Sequence, residues 1–145
     1  KTSELDNLAR ATSTLLNTIG ETLEPENGLN LDQVMFYAHD GVHPYCYDMC
    51  NVLKNNTTAS DYDVWLQQYD KAVIYKRLSD KWFTSYKSLI SAFRDNLFNP
   101  MDGNCGALSM YFPDAINNWG TNPNWNKAIQ IFKWNDVIRW DQYNW

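Results

Sequence analysis

With 145 residues, 44% of them hydrophobic and 20% charged, the chain reads as one globular domain. A domain of this size buries roughly 68–70% of the surface its unfolded form exposes. A formal net charge of −5 and a pI of about 4.8 argue against a phosphate-backbone partner, so no nucleic acid is expected. No stretch approaches the ~20 apolar residues of a membrane span.

The opening "KTSELDNLAR" carries no Met and begins directly on a helix start, as expected of a mature, trimmed or proteolysed piece. Ser3 reads as an N-cap with Asp6 three residues on. Leu5, Leu8, Thr12, Leu15, Leu16 and Ile19 follow as a helical stripe, and Gly20 suits the C′ position. The spacing therefore predicts a helix over 3–19. "ETLEPENGLN" is a loop. Asn30 and Gln33 form a second capping pair at the head of a short segment reaching Ala38. "HDGVHP" is a turn, and Pro44 suits the first position of a helix carrying Tyr45, Met49, Val52 and Leu53. Ser60 with Asp63 caps the next helix, whose Tyr62, Trp65, Leu66, Tyr69, Ala72 and Val73 fall on one face. Thr84 caps another, with Tyr86, Leu89, Ile90, Phe93 and Leu97 aligned, ended by Asn99-Pro100. Trp125, Ala128, Ile129 and Phe132 mark a late helix, and a short one follows around Val137–Trp140.

One stretch breaks the helical pattern. "CGALSMYFPD", Cys105 to Asp114, reads as a buried strand closed by Pro113. The expected fold is thus mainly α, an α+β chain of about six helices with one or two short strands. A lone strand leaves its backbone groups unsatisfied. Either a weak partner lies in "KAVIYKRL" or "DKWF", or the strand 106–112 belongs to a larger sheet outside the chain. Pairing found only inside the chain would weaken any reading of it as a fragment and favour a self-contained binding module.

Three features invite chemistry. His39, Asp40, His43, Cys46, Asp48 and Cys50 are of metal-ligand type, but their spacing matches no standard finger. No metal and no cofactor are expected, and the cysteines read as small apolar helix residues. A thiol–imidazole dyad from His39 and Cys50 is disfavoured because both lie close together on a turn and a helix. With 3 cysteines, at least one is outside any intrachain disulfide among Cys46, Cys50 and Cys105. The chain holds 7 Trp and 9 Tyr, with Trp119, Trp125, Trp134, Trp140 and Trp145 near the end. Such residues suit glycan stacking or a protein interface when exposed, and core filling when buried. Asn55 and Asn56 each head a formal glycosylation sequon, relevant only to a secreted, glycosylating source.

The order of segments resembles clostripain-type cysteine peptidases. "KTSELDNLARATSTLLNTIG" resembles the helix that follows their catalytic core. "YCYDMCNVLKN" is similar to their "hDLydfakxL" helix through Asp48, Met49 and Leu53, and "DKAVIYKR" to the following "A-V-x-Y" segment. "GALSMYFPD" resembles their "sGLSIYFP" strand through Gly106, Leu108, Ser109, Tyr111, Phe112 and Pro113. "IQIFKWNDVIRWDQYNW" resembles their closing segment through Phe132, Asp136, Trp140 and Tyr143. The family's catalytic histidine and D-x-C nucleophile both precede the first helix seen here. Asp48-Met49-Cys50 imitates D-x-C in letters but stands at the "DLydf" helix.

The resemblance therefore implies that residues 1–145 are a single helical C-terminal domain without a catalytic dyad. No catalytic residue is assigned, and the chain alone is expected to be inactive. Its implied partners are the N-terminal catalytic part of the same peptidase and a protein or peptide substrate. The implied reaction is thiol attack on a peptide bond, usually after a basic residue, and the implied location is secreted or cell-surface. The alternative is a self-contained aromatic-rich module binding glycan or protein; a small metal-binding domain is a third reading.

Overall fold

A computed structural model describes residues 2–22, 29–38, 46–77, 79–98, 106 and 108–110. A 3-10 turn, Thr2–Glu4, leads into helix α1, Leu5–Thr22. Strands β1, Phe36–Tyr37, and β2, Cys46–Asp48, precede helix α2, Met49–Asn56. Helix α3 spans Ala59–Ala72, β3 Trp82–Phe83, α4 Tyr86–Asp95 and β4 Ser109–Met110. The fold is mainly helical with a small antiparallel sheet, as the sequence predicts. The two expected late helices and Tyr111–Pro113 lie outside the described residues. The elements gather into two compact units.

The first unit draws on Lys1–Asn30 and Asn56–Ile74. Helix α1 buries Leu8, Ala9, Thr12, Leu15, Leu16 and Ile19; of the stripe read from the sequence, Leu5 alone is exposed. It packs against α3, which buries Trp65, Tyr69 and Ala72. Each fully buried Leu or Ile contributes about 1.5–3 kcal/mol. Polar groups in the seam are paired: Trp65 Nε1 donates to Thr12 Oγ1 at 2.9 Å, and Thr12 Oγ1 donates to Leu8 O at 2.8 Å. Tyr62, Trp65 and Tyr69 stack in a row, with ring centroids 5.6 and 5.4 Å apart.

Two helix ends differ from expectation. α1 runs through Gly20 to Thr22, and the Thr18 and Thr22 hydroxyls donate to carbonyls four residues back. α3 starts at Ala59 because Thr58, not Ser60, is the cap: its hydroxyl accepts from Asp61 N at 3.2 Å. The Asn56 side chain accepts from Asn30 N at 2.7 Å and donates to Asn30 O at 3.0 Å. That two-way bond copies a β-bridge, so this sequon asparagine is a structural clasp.

The second unit draws on Leu31–Asn55 and Tyr75–Phe112. Its sheet has the order β3-β1-β2-β4, all antiparallel, with Phe36 opposite Tyr47 and Phe83, and Tyr47 opposite Met110. Strand alternation sorts the apolar side chains. Phe36, Ala38, Phe83 and Leu89 form one cluster, with Tyr47, Ala92, Phe93 and Phe98 against it. Met35 and Trp82 form another, with Tyr37 beside them.

Several sequence expectations are corrected here. Residues 46–48, assigned from Pro44 to a helix, are a strand, because their backbone is taken up by β1 and β4. The Asn30/Gln33 pair caps no helix: Gln33 adopts φ 56, and the chain turns into β1. The cap of α4 is Ser85, whose hydroxyl and that of Ser88 exchange bonds with each other's backbone N–H. α4 ends at left-handed Asn96, short of Asn99-Pro100, and leaves Ile90 and Leu97 exposed. Among the candidate partners for the late strand, "DKWF" does form β3, but it pairs with β1. The partner of β4 is β2, inside the chain, so the strand is not an orphan.

Candidate functional site

The best-built polar centre among the described residues is the junction of β2 and α2. It begins with Asp48, which is 0% exposed. A buried carboxylate requires hydrogen-bond donors, and the local sequence supplies them. Asp48 is the residue before Met49, the first of α2, and its Oδ2 accepts from Asn51 N at 2.9 Å. That is the N-cap arrangement. Its Oδ1 accepts from Gly106 N at 2.8 Å. Its own N–H donates to Met35 O at 2.8 Å, and Met49 N donates to Leu108 O at 2.9 Å. Asn51 completes the junction by accepting from Met35 N at 3.1 Å.

Gly106 is required at its position. A Cβ there would overlap Cys50 Sγ, stand 2.8 Å from Cys50 Cβ and 3.3 Å from Asp48 Oδ1. The absent side chain lets the approach to β4 lie directly on the first turn of α2. Cys50 is buried under it. Asp48 and Cys50 are therefore joined through the Gly106 backbone, in an arrangement that fixes a strand to a helix. The cysteine of the D-M-C letters is thus buried at this junction.

Cys46 lies on β2, half-buried, and burial pushes its thiol above the usual range. A protonated thiol is a weak nucleophile and a weak metal ligand. His39, Asp40 and His43 lie outside the described residues. Among the described residues no group of three or more His, Cys, Asp or Glu could share a metal ion. Cys46 and Cys50, expected one turn apart on a helix, stand on a strand and a helix instead.

A second arrangement had no sequence signal. Lys81 Nζ lies 3.2 Å from the Phe98 ring centroid and 4.8 Å from that of Phe93. Those two rings meet edge to face at 4.9 Å. Of the tryptophans, Trp65 and Trp82 are buried, and the late ones named above lie outside the described residues.

The fold is similar to that of a solved structure titled "B. fragilis cysteine protease", with a TM-score of 0.64 and 25% sequence identity. The match covers 100% of this chain and 53% of that one. This is a cysteine-protease-like fold. The chain spans about half the length of the protein it matches. No family model and no curated protein matches it. No helix among the described residues is long and apolar enough to cross a membrane.

Proposed function

We propose that this chain is the C-terminal part of a clostripain-type cysteine endopeptidase. It completes the fold and borders the substrate cleft, while the catalytic dyad comes from the other part of the enzyme. The observation that carries this reading is the structural match, which takes in the whole of this chain and about half of a cysteine protease. The β2–α2 junction supports it: Asp48 is committed to Asn51 and Gly106, and Cys50 is buried against Gly106. That chemistry supports a scaffold. The implied partner is the N-terminal catalytic part, and the implied substrate is a protein or peptide cut after Arg or Lys.

The test is to supply the upstream half, in one polypeptide or as a folded partner, and assay cleavage of peptides after Arg and Lys. Activity that needs both halves is expected. A well-folded upstream half that binds this chain and gains no activity overturns the reading. The internal pairing of β4 with β2 favours a second reading, a self-contained binding module. The burial of Trp65 and Trp82 weighs against it. Titration with glycans while following tryptophan fluorescence separates the two, since buried indoles give no response.

A further inference from the structure

Asn55-Asn56-Thr57 and Asn56-Thr57-Thr58 are overlapping acceptor sequences for an N-linked glycan. Both asparagines stand in the last turn of α2, but their side-chain amides are used differently. Asn56 is half-buried and Asn55 is exposed. Asn56 Oδ1 accepts from Asn30 N at 2.7 Å, while Asn56 Nδ2 donates to Asn30 O at 3.0 Å. Asn55 Nδ2 donates to Asp32 O at 2.9 Å.

Amide geometry separates the two. A side-chain amide that meets the N–H and C=O of one residue together does so along one edge. The hydrogen it donates is the one on the same side of the C–N bond as Oδ1. A glycan on Nδ2 makes a secondary amide, planar and trans like a peptide. The sugar carbon then lies on the Oδ1 side, as Cα does in a trans peptide, and the remaining hydrogen points the other way. On Asn56 the sugar would therefore replace the very hydrogen that Asn30 O accepts. On Asn55 the bond to Asp32 O needs one N–H, and a glycosylated Nδ2 keeps one. The exposed Asn55 side chain can turn that N–H to Asp32 O and leave the bulky, hydrated sugar in water.

We propose that Asn55 is an N-glycan site that this fold admits, and that Asn56 is an acceptor by sequence that the fold refuses. The co-substrate is a polyprenyl-diphosphate-linked oligosaccharide, the donor class of oligosaccharyltransferases. Asn55 Nδ2 attacks the anomeric carbon of the first sugar, and a new C–N bond forms. The bond from that carbon to the diphosphate oxygen breaks, and the leaving diphosphate takes the electron pair. One Nδ2 proton passes to a base of the transferase. Transfer to a nascent chain precedes folding, so the refusal is read in the folded product. A chain modified at Asn56 cannot close the Asn30–Asn56 clasp, whereas one modified at Asn55 closes it unchanged.

The experiment is secretion of the full chain from eukaryotic cells behind a signal peptide. Treatment with a peptide:N-glycosidase follows, which leaves Asp wherever a glycan stood, and peptide masses locate the change. In the secreted chain the change is expected at Asn55 and not at Asn56. Thr57→Ala removes the Asn55 acceptor sequence and keeps that of Asn56, with the Thr58 cap intact. That chain is expected to be secreted without glycan, and any modified copies are expected to stay in the cells. Thr58→Gly removes the Asn56 acceptor sequence and keeps that of Asn55, and glycine is a tolerated helix cap. It is expected to be secreted with a single glycan. A secreted Thr57→Ala chain that carries a glycan on Asn56 and shows the circular dichroism of the unmodified fold overturns the refusal. A secreted Thr58→Gly chain without glycan overturns Asn55 as the site. An unmodified Asn55 in the secreted parent chain overturns it too, and that reading stands whether or not Thr58→Gly folds.

Discussion

The two units reach order by different means. In the first, α1 and α3 bury long apolar stripes, with the Trp65–Thr12–Leu8 hydrogen bonds set within that packing. In the second, each strand is two or three residues long. Strands that short supply few ladder bonds, and a sheet of this kind needs help to hold register. The help comes from polar side chains bonded to backbone, above all Asp48 bridging Asn51 and Gly106. Polar substitutions should therefore weigh more heavily in the second unit than in the first.

The largest effect is expected at Asp48. Asp48→Ala strips the acceptor from two backbone N–H groups, and each orphaned buried donor costs about 1–3 kcal/mol. A loss of about 2–5 kcal/mol is expected from the sum, read as a lower urea midpoint and as faster hydrogen exchange at the Gly106 and Asn51 amides. Asp48→Asn keeps one acceptor and should fall between. If Asp48→Ala costs less than removal of the Thr12 hydroxyl, the contrast between the units is wrong.

Gly106→Ala comes next. The new methyl meets Cys50 Sγ and Cβ, and overpacking of this kind typically costs about 1–3 kcal/mol. The clash gives the prediction its control. Cys50→Ala removes the sulfur and should recover part of the loss, only part because the Cβ contact remains. Additive losses in that double-mutant cycle would mean that Gly106 is needed for backbone freedom and not for closeness to Cys50.

Much of the first unit was legible in the sequence because a helix writes its buried face at a fixed period. Leu8, Leu15, Leu16, Ile19, Trp65 and Tyr69 were all placed by spacing alone. The caps shifted by one or two positions, since Thr58 and Ser60, or Thr84 and Ser85, can each offer a hydroxyl oxygen that accepts from a helix's first N–H groups. The second unit was harder to read. Two-residue strands are too short for alternation to register, and Pro44 at a plausible first helical position drew Cys46–Asp48 into a helix. The key bond, Asp48 to Gly106, joins residues far apart in the chain, and no local pattern encodes it. The available signal was an Asp with no neighbouring cation, followed three residues later by Asn51 at the head of an apolar helix.

Thr12→Val probes the first unit. It leaves Trp65 Nε1 buried without its acceptor, at a cost of about 1–2 kcal/mol, in the lower part of the range for an orphaned donor. Trp65→Phe in the same background removes the donor as well and should return part of that loss, apart from the smaller ring. A denaturation series of the four chains measures the coupling.

The smallest effect is expected at Lys81, and it tests whether the ring pair of the second unit is used electrostatically. Lys81→Met keeps an unbranched stem over Phe93 and Phe98 and removes the charge. A cation over a ring is worth about 0.5–1 kcal/mol at partly exposed sites, so a loss of that size is expected in the urea midpoint. Lys81→Arg keeps the charge and should recover most of it. A neutral Lys81→Met would mean that the stem alone covers the rings, since lysine methylenes pack on apolar surface while the ammonium stays in water. The short distance from Nζ to the Phe98 centroid, 3.2 Å, argues against that outcome, because it puts the ammonium itself over the ring face.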